Sequence, residues 1–382
     1  MKHLGRNRAD SLAAKITSRV ILTAALLFMT VPAHADRIYL RNLKRIDGIE
    51  VTQFDEDSVR LSNNTTLTWD EIDQGRLAET KQAAFDKMLA ELGTPLYRIR
   101  TRLKVGDYEG LLQVAEELYP RYANRRSKTA YLVQQALMWA LIDAGRREEA
   151  VAPYLACYET LRTSPDVANT LPGERRLRYD AKSGTTPELV PVWFDSEAAK
   201  TSLEGVYQTV IAMKQPQPQA IYIYYGTLNL SAGSPDRAKA IFDRADTENA
   251  EIAQLVKIAE AQAEVLSGES GEAVKRLEES LDSLVPANKP IALYWLGLAK
   301  LQSEDRETEQ RGMLQLLRVP AVYGRDYPEL AGAAYFHVMQ SLSQAENAKG
   351  AIAVRKELLE RFGHTYFAGR IETRGEGRGA SD

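Results

Sequence analysis

Between Arg37 and Ile72 the chain alternates apolar and polar residues with a period of two. Ile38 and Leu40, then Ile49, Val51 and Phe54, then Val59 and Leu61, then Leu67 and Trp69 mark the apolar positions. Asp47-Gly48, Asp55-Glu56-Asp57 and Asn63-Asn64 fall between these runs and supply turn chemistry. The segment therefore predicts a meander of three or four short antiparallel strands. A sheet of about 36 residues buries little core, so it must pack on a neighbour or pair with another chain.

Past Leu77 the pattern turns helical and one spacing recurs. A Gly, or a residue standing in for it, is followed five positions later by a small residue: Gly145 with Ala150, Gly233 with Ala238, Gly268 with Ala273, and Glu346 with Ala351. Gly106 with Leu111 is a degenerate fifth case. Gly closes a tight turn between two helices, and the small residue lets the second helix lie close against the first. Around Gly233 the pattern is fullest, with Tyr222, Tyr225 and Gly226 before it and Phe242 and Ala245 after it.

These residues resemble the tetratricopeptide repeat, a helix pair that recurs about every 34 residues. Leu137, Tyr154 and Cys157 around Gly145 carry the likeness, as do Leu277, Leu296-Gly297, Tyr335 and Leu358 in the later copies. The turn positions step by 39 residues from 106 to 145, by 35 from 233 to 268, by about 36 to 304 and by about 42 to 346. The gap of 88 residues between Gly145 and Gly233 has room for two repeats and an insertion. The resemblance covers about Pro95 to Phe367 and implies a mainly α fold, an α-α superhelix whose concave face is lined by the first helix of each pair. The β segment resembles small SH3-like or Sm-like barrels through Leu43 to Val51 and Val59-Arg60-Leu61, and no function carries across from that likeness.

The insertion spans 163–196. It holds Pro165, Pro172, Gly173, Gly184, Pro187 and Pro191, an arginine cluster at Arg175, Arg176 and Arg178, and the apolar run Pro187 to Phe194. Loops of this length in compact domains are more often functional than filler. Two readings stand side by side: Val190, Val192, Trp193 and Phe194 fill a gap between helix pairs, or the three arginines receive an acidic partner segment.

At the N-terminus Lys2, Arg6, Arg8, Lys15 and Arg19 precede the apolar run Val20 to Met29, and Ala33-His34-Ala35 follows. A basic region, a short apolar run and a small-x-small site predict an export signal cleaved after Ala35. The expected organisation is a signal peptide at 1–35, a β module at 36–76, a helical repeat domain at 77–367 and a disordered Gly-rich tail at 368–382. The whole chain has 49 Lys plus Arg against 52 Asp plus Glu; without the first 35 residues the balance is 44 against 51, which argues against unspecific binding to nucleic acid or anionic lipid.

Raw material for catalysis is scarce. Beyond residue 35 only His337 and His364 remain, and Cys157 is the sole cysteine, placed where the repeat wants a small buried residue. No phosphate loop, dinucleotide fingerprint or EF-hand loop is present, so no cofactor or metal is expected. Acidic pairs such as Glu148-Glu149 read as solvated helix faces.

What remains is a concave surface. Gln135, Trp139 and Asp143, then Ile223, Thr227 and Ser231, then Tyr294, Leu298 and Gln302, then Phe336, Gln340 and Gln344 fall at helical spacing on the side expected to face it. Trp139, Tyr294 and Phe336 are the candidate anchors, with Arg175, Arg176 and Arg178 as an electrostatic lip. The expectation is an exported periplasmic or envelope scaffold that binds a peptide or protein partner and is not an enzyme. The competing readings are an exported hydrolase with its site at the insertion, and a cell-wall saccharide or peptide binder that stacks its ligand on Trp193 or Trp69.

Overall fold

The structure, a computed structural model, describes residues 36–376. The expected export signal and the last six residues of the chain lie outside the described residues. The chain divides into two compact units at Tyr97/Arg98.

The first unit holds six strands and the first helix. β1 (Arg37–Leu40) pairs antiparallel with both β2 (Arg45–Asp47) and β6 (Ile72–Arg76), while β3 (Val51–Phe54), β4 (Val59–Leu61) and β5 (Thr66–Leu67) make a second antiparallel sheet. Two three-stranded sheets thus replace the single meander expected. The sixth strand was hidden because Ile72–Arg76 reads IDQGR, with one buried residue and no alternation; it is a strand because β1 offers it a partner edge. Trp69, Phe54 and Phe85 of α1 (Glu79–Met88) form the aromatic centre, with ring centroids 5.2 to 6.0 Å apart. A Cβ on Gly75 would lie 2.4 Å from the Phe85 ring, so only glycine admits this contact. Trp69 is fully buried and its indole N–H donates to the Asp55 carbonyl at 2.7 Å, which removes it as a stacking platform for a saccharide.

The second unit is helical from Arg98 onward, starting within α2 (Thr94–Val105). Its further helices are α3 (Tyr108–Tyr122), α4 (Lys128–Asp143), α5 (Val151–Thr163), α6 (Ser196–Ile211), α7 (Ala220–Ser231), α8 (Pro235–Phe242), α9 (Ala250–Ser267), α10 (Ser270–Ser280), α11 (Lys289–Leu301), α12 (Arg306–Arg318), α13 (Pro328–Gln344), α14 (Ala348–Phe362) and α15 (Tyr366–Glu376). Ser127, Asp195, Asn249, Asp305 and Asn347 cap their helices by accepting from backbone N–H groups of the first turn. The tail expected from 368 instead continues as α15, because Ala368 and Ile371 bury against α13 and α14.

Neighbouring helices pack in pairs, α3 on α4, α7 on α8, α9 on α10, α11 on α12 and α13 on α14, an arrangement compatible with a helical repeat solenoid. The expected turn chemistry is present at five of the helix joins. Gly106, Gly145, Gly233 and Gly268 all have positive φ, and Glu346 takes the same left-handed conformation at φ 58°. Ala150, Ala238 and Ala273 are fully buried where helices meet. Close approach extends to Gly226, where a Cβ would lie 2.3 Å from the Phe242 ring.

Helices α7, α9, α11, α13 and α15 also stack on one another, forming one continuous layer, and α5 joins it through α7. The rings of Tyr154 on α5 and Tyr224 on α7 meet at 5.2 Å. This corrects the repeat phase drawn from sequence. Between Gly145 and Gly233 lie three helices, α5, α6 and α7. An odd count swaps inner and outer roles, so α5 rather than α4 belongs to the layer of first helices. The insertion therefore falls between α5 and α6, inside what would be a helix pair.

Enlarging the alanines at the helix joins should overpack them. Ala238→Leu and Ala273→Leu are each expected to cost about 1 to 3 kcal/mol. Thermal denaturation checks this, and two variants that melt like the parent would remove these residues from the close contacts.

Candidate functional site

The insertion folds down onto the helical layer and covers part of it. Residues 164–195 carry only two short 3-10 turns, Pro165–Thr170 and Pro187–Leu189, so most of their backbone polar groups need partners from elsewhere. The layer supplies them. The Tyr154 hydroxyl donates to the Gly184 carbonyl, and the Tyr224 hydroxyl donates to the Leu189 carbonyl at 2.8 Å while accepting from the Thr186 N–H at 3.0 Å. The Trp193 indole N–H donates to the Thr227 hydroxyl at 2.9 Å. Val190 and Val192 are buried in the same core as α7, α9, α11 and α13, and Phe194 packs against it.

Two adjacent residues after the Gly145 turn fasten the end of the insertion. Arg147, 2% exposed, donates through its two terminal nitrogens to the carbonyls of Val190 and Val192, both at 3.1 Å, and its guanidinium lies over the Trp193 and Phe194 rings. Glu148, 3% exposed, accepts from the N–H groups of Phe194 and Asp195 at 3.0 and 3.2 Å. Glu148 is thus no solvated member of an acidic pair. Phe194 then meets Tyr294 of α11 and Tyr366 and Phe367 of α15, and the Asp195 carboxylate accepts from the Tyr366 hydroxyl.

Placement of the sequence-predicted anchors follows from this cover. Trp139 is 1% exposed and lies beneath the Arg175 guanidinium, 3.7 Å from its ring centre. Tyr294 is 2% exposed, and its hydroxyl faces Nε2 of His337 at 3.2 Å. Phe336 is half-buried and stacks on Phe367 with centroids 4.4 Å apart. Trp193 is also buried, which takes away the second expected saccharide platform. Arg175, Arg176 and Arg178 are exposed, as a lip requires.

Two recesses remain open on either side of the cover. One, about 370 Å³, has Trp295, Leu298, Gln302, His337, Gln340 and Gln344 in its wall, and a second cavity of about 560 Å³ adjoins it at Gln340, Gln344 and Phe367. The indole N–H of Trp295 is buried there without a hydrogen-bond partner. The other recess, about 440 Å³, brings Arg175, Arg176 and Arg178 together with Arg147, Arg325 and His364. Sequence reasoning had found the three insertion arginines and the amides at 302, 340 and 344. It had no means of finding Arg147, Arg325 or Phe367, which reach these sites only through tertiary packing.

Burial disfavours charge on the ionisable groups of the layer. The Cys157 thiol is pushed up, which leaves it a thiol, and the Tyr224 and Tyr294 hydroxyls are pushed up likewise. His337 is pushed down to about 4 by the apolar rings around it. Among the described residues no group of three His, Cys, Asp or Glu side chains is placed to hold a metal, and no helix is long and apolar enough to cross a membrane.

Two predictions follow from the cover and from the histidine beside it. Glu148→Ala strands two buried N–H groups, so it should cost about 1 to 3 kcal/mol. It should also speed limited proteolysis between residues 172 and 186, and unchanged melting together with unchanged cleavage would show that the clamp does not hold the insertion. For His337, the unfolded ring gains its proton near the ordinary value of 6.5, whereas the folded ring resists until about 4. Stability should therefore fall as pH drops below about 6.5, by about 1 to 2 kcal/mol at pH 5, because part of the ring borders the open recess and the full penalty is softened. Urea titrations at pH 7.5 and 5 measure this, and His337→Gln should show a flatter pH dependence than the parent.

None of the protein-family models, curated proteins or solved structures compared with this chain matches it.

Proposed function

We propose that this protein is an exported scaffold of the tetratricopeptide type, resident in the periplasm or cell envelope, that holds a peptide or a segment of a partner protein in the uncovered part of its helical layer. The observation that carries this reading is the recess beside α11 and α13. Leu298 and Phe336 offer apolar contacts, and the amides of Gln340 and Gln344, four residues apart on α13, offer donors and acceptors. The Trp295 indole N–H adds a buried donor with no partner. An extended peptide presents what such a wall lacks, alternating backbone carbonyls and N–H groups together with side chains to insert.

Binding rather than turnover is favoured by the state of the candidate nucleophile and base. The Cys157 thiol is buried and held protonated, and His337 donates or accepts only toward Tyr294. The insertion supports the same reading, since it closes part of the layer and leaves the recess beside α11 and α13 as the place for a ligand.

The test uses two exposed amides, so that loss of fold and loss of site can be separated. Gln340→Lys combined with Gln344→Lys should melt within about 0.5 kcal/mol of the parent, as surface substitutions usually do. Capture of envelope proteins by the immobilised chain should drop by about tenfold or more in the double variant, the equivalent of one lost charged or buried contact. Capture at parental levels by a double variant that is still folded would place the partner surface elsewhere.

A further inference from the structure

We propose that the arginine recess on the other side of the insertion is a binding site for a small oxyanion, a molecule bearing phosphate or several carboxylate groups. The inference stands apart from the peptide groove, shares no residue with it, and does not depend on it.

Three stretches far apart in the chain bring guanidinium groups to this one cavity: Arg147 after the Gly145 turn, Arg175, Arg176 and Arg178 in the insertion, and Arg325 before α13. Of these, Arg178 is engaged by Glu188 at 2.7 Å. Four guanidiniums remain against the three carboxylates of Asp143, Asp326 and Glu329, the last of which also accepts from the Tyr366 N–H. The cavity is therefore short of negative charge.

Arg147 sharpens that shortage. Its side chain is almost wholly buried, no carboxylate among the described residues lies within ion-pair distance, and its two terminal nitrogens bond only to neutral carbonyls. Its Nε is buried without a hydrogen-bond partner. Removing a charge from water without an opposite charge is expensive, and an anion in the recess would supply the missing one. Arg175 is preorganised for the same task. Its guanidinium carbon lies 3.7 Å from the Trp139 ring centre and 5.0 Å from that of Tyr108, which positions the group by its attraction to both rings and leaves its N–H donors available. Planar forks of this kind match the paired oxygens of phosphate and carboxylate. A cavity of about 440 Å³ is the size of a small-molecule site, larger than a bare ion requires.

Calorimetric titration of the full chain with pyrophosphate and, separately, with citrate tests the proposal and separates the two sources of oxyanion. At least one probe should bind saturably with one site per chain. Its affinity should weaken by about tenfold in Arg325→Ala and in Arg176→Ala, the loss expected for one charge-assisted contact. Both side chains are exposed, so both variants should melt like the parent, and they decide the matter even if Arg147→Met fails to fold. Tighter binding of pyrophosphate assigns the site to phosphate compounds, and tighter binding of citrate assigns it to polycarboxylates. Failure of both probes to saturate, or equal binding to the parent and both arginine variants, would overturn the site.

Discussion

A long irregular segment can lie on a protein core only if its backbone polar groups find partners there, and in this protein one dipeptide meets that requirement at the end of the insertion. Arg147 and Glu148 offer opposite chemistries side by side: the guanidinium satisfies two carbonyls of the insertion, and the carboxylate satisfies two of its N–H groups. With those four groups paired, Val190, Val192, Trp193 and Phe194 can add apolar area to the helical core, about 1.5 to 3 kcal/mol for each large side chain fully buried. Without them the same burial would strand polar backbone in an apolar setting. The position of the cover, and so of both recesses, depends on this pair.

The cover changes what kind of binding surface a stacked-helix protein presents. An uncovered layer would show a ligand one long face. Here the insertion splits that face into two cavities of different character, one walled by amides and aromatic rings and the other by guanidiniums. The aromatic chain from Phe194 through Phe367 to Phe336 ties the edge of the cover to α15 and α13. The C-terminal helix is therefore part of the same construction and borders the amide side.

Much of the frame was legible in the residues alone. Positive-φ glycines five residues ahead of buried alanines mark helix joins because the backbone at such a turn excludes most side chains and the joined helices leave no room for large ones. Period-two alternation marked four of the six strands, and the amides at 302, 340 and 344 were visible because helix geometry alone puts such positions on one face. The clustered arginines at 175, 176 and 178 were visible as an exposed set for the same local reason.

Other features depend on contacts between residues far apart in the chain. Which helix faces inward after an insertion turns on the number of helices formed, and sequence spacing across 88 residues could not count them. Ile72–Arg76 is a strand through pairing with β1, and Trp139 and Tyr294 are buried because other segments cover them. Local periodicity, turn chemistry and charge are properties of neighbours along the chain, and the sequence determined them. The burial of Arg147 and Glu148, the covering of part of the layer and the meeting of five arginines were decided by tertiary structure, since each requires distant segments to satisfy one another's polar groups in a single packed core.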